Sequence, residues 1–298
     1  MKKVLSFLGR CRFLIILLVF FIGADILLGT FFGSYIVESG NFWLDDYEIT
    51  RRDNPEAVWD KVFYGNSTVI AAYRDELSDS AYINFGVDYG SATGLLAILE
   101  SGEVEIGSEL VIGLNWASMC DAMETNPTYF WNRGTLEPYS YFQRDRLYKA
   151  LTGALWSRIS GNPWADGSYV AQTKSYYYSC LSEAELAEKV AVYEERYWAA
   201  GIEGYSQNLE ALQRVITLCG DKGIGVRVVM MPWNPSVEKP ELISELDRAI
   251  IDICSRNGIE YLDLSDTFDF ECFYDLGHLN YEYGSHMFTE VIDEWINS

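Results

Sequence analysis

Histidine is scarce in this 298-residue chain, which has only His278 and His286. Any imidazole chemistry therefore runs through these two. No C-x-x-C pair occurs among Cys11, Cys120, Cys180, Cys219, Cys254 and Cys272, which excludes the common zinc and thioredoxin motifs. Basic residues are few as well: 22 Lys and Arg stand against 44 Asp and Glu, for a net charge of −22. A field of that sign repels nucleic acid and other polyanions, so nucleic-acid binding is set aside. Internal repeats and low-complexity segments are also missing. At 49% hydrophobic and 15% aromatic, the chain has ample material for a globular core.

The N-terminus is different in kind. Lys2, Lys3, Arg10 and Arg12 precede an apolar run from Phe13 to Phe32, broken only by Gly23, Asp25, Gly29 and Thr30. About twenty helical residues span roughly 30 Å, the thickness of a bilayer core. A cleaved signal peptide has a shorter apolar region, typically about 7–15 residues, ending in a small-x-small site. This run is longer and no Ala-x-Ala follows, so an uncleaved signal anchor is expected over residues 1–37. The basic flank places its N-terminus in the cytoplasm and residues 38–298 outside. Asp25 is costly in a lipid-facing helix, on the order of 3 kcal/mol near the bilayer centre, which suggests hydration or a membrane partner. Leaving out Lys2, Lys3, Arg10, Arg12 and Asp25, 18 basic and 43 acidic residues remain, a charge of about −25 for the outer part. Cys11 lies on the cytoplasmic side, leaving five cysteines outside, where one or two disulfides could form. Spacing alone does not pair them.

From Val58 onward, short apolar runs alternate with helical segments, as in an α/β domain with a parallel sheet. Strands are expected at Val58–Tyr64, Ala81–Phe85, Glu109–Leu114, Gly225–Met231 and Ile259–Leu264. Helices are expected at Ser67–Glu76, Gly90–Glu100, Glu238–Asn257 and Tyr281–Ile296. Residues 116–203 break the rhythm with an aromatic-rich insertion that includes Trp131, Trp156, Trp164, Tyr176, Tyr177, Tyr178 and Trp198. Such rings can stack on sugars or fill the insertion's own core. Within it, Ser182 and Glu185 form a capping-box signature for a helix running to about Ala200.

Chemistry-bearing residues fall at the carboxyl ends of the expected strands, where open parallel sheets place their ligand crevice. Ser67 follows the first strand, Gly86 the second and Asn115 the third, and Asp275 and His278 lie beyond the fifth. Ser67 is a poor nucleophile until a base takes its proton. His278 can do so, with Asp275 fixing the imidazole tautomer. The N–H groups of Ser67 and Gly86 and the Asn115 amide are the expected oxyanion donors. His286, on the last helix, is expected to be structural. The G-x-S-x-G elbow of α/β-hydrolases is absent, because Val69 stands where its second glycine would be.

These blocks resemble those of the SGNH (GDSL-like) hydrolases: Gly65-Asn66-Ser67, Asn84-Phe85-Gly86, Gly113-Leu114-Asn115 and Asp275-Leu276-Gly277-His278. The resemblance runs from about residue 58 to the C-terminus. It implies a flavodoxin-like, doubly wound, five-stranded parallel sheet, a Ser67/Gly86/Asn115 oxyanion hole, ester chemistry and no cofactor or metal. The signal anchor, together with His278-Leu279-Asn280 and Gly284 after Tyr283, is similar to the membrane-anchored branch that acylates cell-surface polymers. That branch includes the DltD-type proteins of teichoic acid D-alanylation and related glycan O-acetylation factors. It implies a partner membrane-bound O-acyltransferase and an acylated glycan or teichoic acid as substrate. The alternative is a non-catalytic assembly or glycan-binding partner of such an acyltransferase. Two positions depart from the family pattern: Asn66 and Trp116 each stand where an Asp is usual.

Overall fold

A computed structural model describes residues 11–38, 45–126, 129–132 and 177–298. Trp156, Trp164, Tyr176 and the side chain of Asp25 lie outside the described residues. The chain divides into two compact units, 1–45 with 127–172 and 46–126 with 173–298. The expected insertion is thus split, and both of its ends belong to the second unit.

In the first unit, helix α1 spans Arg12–Glu38, and Tyr129 stacks on Trp131 at 4.6 Å beside a short 3-10 turn, Phe130–Asn132. The side chains of α1 are described at 12–24, 26 and 27, and those from Phe13 to Ile22 are exposed. Among the described residues no helix is long and apolar enough to cross a membrane.

The second unit holds a five-stranded, wholly parallel sheet: β1 (Val58–Gly65), β2 (Ile83–Gly86), β3 (Glu105–Leu114), β4 (Gly225–Met230) and β5 (Glu260–Asp263). Its order is β2-β1-β3-β4-β5. The sheet grows outward in both directions from β1, so the crevice of a doubly wound sheet opens between the carboxyl ends of β1 and β3. Phe63 pairs with Val111, and Gly113 with Val229, so Phe63, Val111 and Val229 point to one face. There they join Val69, Phe273, Leu279, Phe288 and Ile292 in one core. β3 starts at Glu105, four residues before its expected start. Glu105, Ile106, Gly107 and Ser108 lack a continuous apolar pattern, yet they extend the strand along β1.

The helices of this unit are α2 (Asp46–Asp53), α3 (Ser67–Ala72), α4 (Ala92–Ser101), α5 (Glu183–Tyr193), α6 (Ser206–Lys222), α7 (Glu241–Arg256) and α8 (Gly284–Ile296). α5 carries the expected capping box, with Ser182 and Glu185 bonded reciprocally, and then passes into a π turn at Glu194–Trp198. α6 had no place among the expected helices. It buries Ala211, Leu212, Val215, Ile216 and Cys219 along one stripe, and the Asp121 carboxylate accepts from the Gln207 and Asn208 N–H groups at its start. α3 ends four residues early: Tyr73 turns to an extended backbone, while its N–H still reaches the Val69 carbonyl. All six cysteines are free, so the disulfides envisaged for the outer part do not form. Burial pushes the Cys219 and Cys254 thiols up to about 11, which keeps them protonated.

Close approach of α3 to the sheet depends on glycine. A Cβ on Gly86 would stand 2.6 Å from the Ile70 backbone nitrogen, and one on Gly65 would stand 2.9 Å from the Gly113 carbonyl oxygen. These obstacles are backbone atoms, which side-chain repacking cannot relieve. Gly86→Ala is therefore expected to destabilise the fold by about 1–3 kcal/mol, read from the midpoint of denaturant unfolding at unchanged slope.

Candidate active site

Ser67 opens α3 at the end of β1. The turn is set by Asn66, whose Oδ1 accepts from the Thr68 N–H at 2.9 Å and from the Thr68 hydroxyl at 2.6 Å. An Asn N-cap does this as well as an Asp, so the departure at position 66 leaves the turn intact. Ser67 is half-buried, and as the first residue of the helix its N–H has no helical acceptor.

His278 and Asp275 come from a tight loop held from several sides. Phe273 pairs with Leu279 in an antiparallel bridge, and the Tyr274 N–H donates to the His278 carbonyl at 2.8 Å. Asn234, beyond β4, donates from Nδ2 to the Asp275 carbonyl and from its backbone N–H to the Leu276 carbonyl, both at 2.9 Å. From the other direction, the Leu181 N–H donates to Tyr274 and the Tyr281 N–H to Tyr177. The returning end of the insertion thus runs along the loop.

The result is a continuous relay. Ser67 Oγ lies 2.8 Å from His278 Nε2, and His278 Nδ1 lies 2.9 and 3.0 Å from the two Asp275 oxygens. With Nδ1–H donating to the carboxylate, Nε2 is left to accept the Ser67 proton. Asp275 is buried, 3% exposed, and burial alone would push its carboxyl up. The charge and hydrogen bond of His278 and the Lys189 ammonium outweigh that and hold it well below the usual carboxylate range.

Asn115 also reaches the site. Its Oδ1 accepts from the Ala117 N–H at 2.8 Å, which turns the Nδ2 donor the other way, to 3.1 Å from where a Cβ would stand on Gly277. Gly86 differs from expectation. Its N–H donates to Asn84 Oδ1 at 3.0 Å and is therefore not open to an oxyanion; its glycine identity serves the approach of α3. The loop after β2 contributes in another way. Tyr89 holds a left-handed backbone (φ 56°) before Gly90, and Asp88 sits within electrostatic reach of His278, its carboxyl raised by burial.

Lys189, Asn234 and Asp88 carried no signal in the sequence, and Tyr177 stood out only as one aromatic of the insertion. Lys189 Nζ lies 2.9 Å from Asp275 Oδ2 across 86 residues of chain. The Tyr177 ring packs on His278 at 4.6 Å and stacks on Tyr274 at 4.7 Å. Other aromatics of the insertion serve packing: Trp198 and Tyr193 gather against Trp233, which also meets Trp116 at 5.0 Å. Trp116 Nε1 donates to Asp247, so this departure from the family pattern has a partner inside the fold. His286 lies exposed on α8, away from any such network. Among the described residues no group of three or more His, Cys, Asp or Glu is arranged to hold a metal ion.

Comparison of the chain with protein-family models and with curated proteins finds no match.

The depressed Asp275 pKa carries a stability signature. Its folded value lies below its ordinary value of 3.8, so its contribution is fully present above about pH 4 and lost as pH falls through the folded value. Wild type is expected to lose stability below pH 4 more steeply than Asp275→Asn, as read from melting temperatures across pH 2–7.

Proposed function

We propose that this chain is a membrane-anchored serine esterase or O-acyltransferase of the SGNH type, acting on acyl esters of a cell-envelope polymer through a Ser67 acyl-enzyme. The observation that carries this reading is the unbroken hydrogen-bonded line from Ser67 through His278 to Asp275. In the acylation step, Ser67 Oγ attacks the ester carbonyl carbon as its proton passes to His278 Nε2. Asp275 stabilises the imidazolium that forms. The tetrahedral oxyanion is held by the Ser67 N–H and Asn115 Nδ2, each worth about 3 kcal/mol of barrier. Collapse breaks the ester C–O bond, and His278 returns the proton to the departing alkoxide. A second hydroxyl, from water or from a polymer, then repeats the sequence in reverse and frees Ser67.

The order and spacing of the four blocks support the family assignment, and the apolar run from Phe13 to Phe32 supports the anchor. The resemblance to the polymer-acylating branch supports an O-acetyl or D-alanyl group as the acyl unit and a membrane-bound O-acyltransferase as the partner. The strongly acidic outer part weighs towards an uncharged glycan acceptor rather than a polyphosphate.

Turnover of p-nitrophenyl acetate by the full chain in detergent tests this. Ser67→Ala and His278→Ala are each expected to lower kcat by at least about 10⁴-fold. Asn115→Ala should lower it by about 10²–10³-fold. A Ser67→Ala protein that keeps a tenth or more of the wild-type rate rules the mechanism out.

A further inference from the structure

Asp275 is held unequally at its two oxygens. Oδ1 accepts from the backbone N–H groups of Gly277 and His278 at 3.1 and 2.9 Å, both fixed by the loop itself. Oδ2 shares the His278 ring proton and otherwise meets Lys189. Among the described residues, the other titratable groups with an electrostatic effect on the pair are neutral or negative. They are the Tyr177 and Tyr193 phenols and the Cys180 thiol near Asp275, and Asp88 near His278. Among the described residues Lys189 is thus the cation in contact with this buried carboxylate, and a carboxylate held by backbone donors at one oxygen only can tilt about that oxygen.

The placement of Lys189 is also specific. On α5, Leu186, Lys189, Val190 and Tyr193 follow helical spacing along one face, and Leu186 is the helix's one buried residue. α5 is set by the Ser182 capping box, just after Leu181 bonds to Tyr274 in the active-site loop. The lysine therefore reaches the carboxylate from a helix whose start is tied to that same loop.

We propose that Lys189 is a positioning residue of the active site: its ammonium fixes Asp275 Oδ2 and so aims His278 at Ser67, which makes the end of the insertion a working part of the catalytic machinery. This rests on the acyl-transfer reading above. The contact of Lys189 is with Asp275 Oδ2, and it reaches Ser67 only through Asp275 and His278, so it acts on the chemical step.

The test compares Lys189→Met and Lys189→Arg in the full chain, with ester turnover and the low-field proton NMR signal of the His278 ring N–H as readouts. With only two histidines in the chain, and His286 exposed, that signal is assignable by its loss in His278→Ala. Lys189→Met is expected to lower kcat on the order of tenfold with KM unchanged, and to shift the low-field signal. Lys189→Arg should restore most of both. The Lys189 side chain is 43% exposed, so both variants should fold, which their melting curves check. Wild-type kcat and an unmoved signal in Lys189→Met overturn the proposal, as does an equal loss in Met and Arg variants. If wild type shows no Ser67-dependent turnover, the acyl-transfer reading itself falls. The NMR comparison then still decides whether Lys189 orients the pair.

Discussion

A carboxylate taken out of water costs several kcal/mol unless donors surround it, and much of the candidate active site is the set of donors that Asp275 has gathered. Two are backbone N–H groups of its own loop, one is the His278 ring, and one is Lys189 from α5. Each donor fixes the piece of chain that carries it. The loop is closed by the Phe273–Leu279 bridge, pinned to the end of β4 through Asn234, and flanked by Tyr177 and Leu181. Satisfying one buried charge therefore brings together the loop beyond β5 and the end of the insertion, while Asn234 ties the backbone of that loop to the chain after β4. The imidazole aimed at Ser67 is a product of that arrangement.

The other half of the site depends on what is left out. Gly65, Gly86 and Gly113 let α3 lie against the strand ends more closely than any Cβ would permit. That approach sets Ser67, at the start of α3, by the carboxyl end of β1, next to β3, the strand that Asn115 follows. Parallel strands deliver their carboxyl ends to one edge, so residues far apart in the chain arrive together without long-range sequence signals. The proposed nucleophile, amide donor and base are thus assembled by topology, and the proposed base is then aligned by charge.

This division explains what could be read in the chain beforehand. Apolar runs and turn residues are local, so the five strands, the Ser182 capping box and the positions of Ser67, Asn115, Asp275 and His278 at strand ends were all legible. Gly86 was expected as an oxyanion donor from its place after β2 and from the motif it resembles. Its N–H is claimed by Asn84, a side-chain choice that no spacing reveals. Lys189 was invisible, and Tyr177 was marked only as an insertion aromatic, for a different reason. They act across tens of residues, and an ordinary surface-like lysine or tyrosine carries no mark of the partner it will meet. α6 was overlooked although its apolar stripe was present, because the aromatic-rich stretch before it masked where regular structure resumes.

The central claim is that Ser67 is a nucleophile activated by His278. Its most direct measurement is covalent labelling of the full chain by a fluorophosphonate probe, with the modified peptide identified by mass spectrometry. The account predicts a single adduct on the peptide containing Ser67, formed in wild type and lost in both Ser67→Ala and His278→Ala. A wild-type protein that labels no faster than Ser67→Ala, or an adduct on another residue, would contradict it.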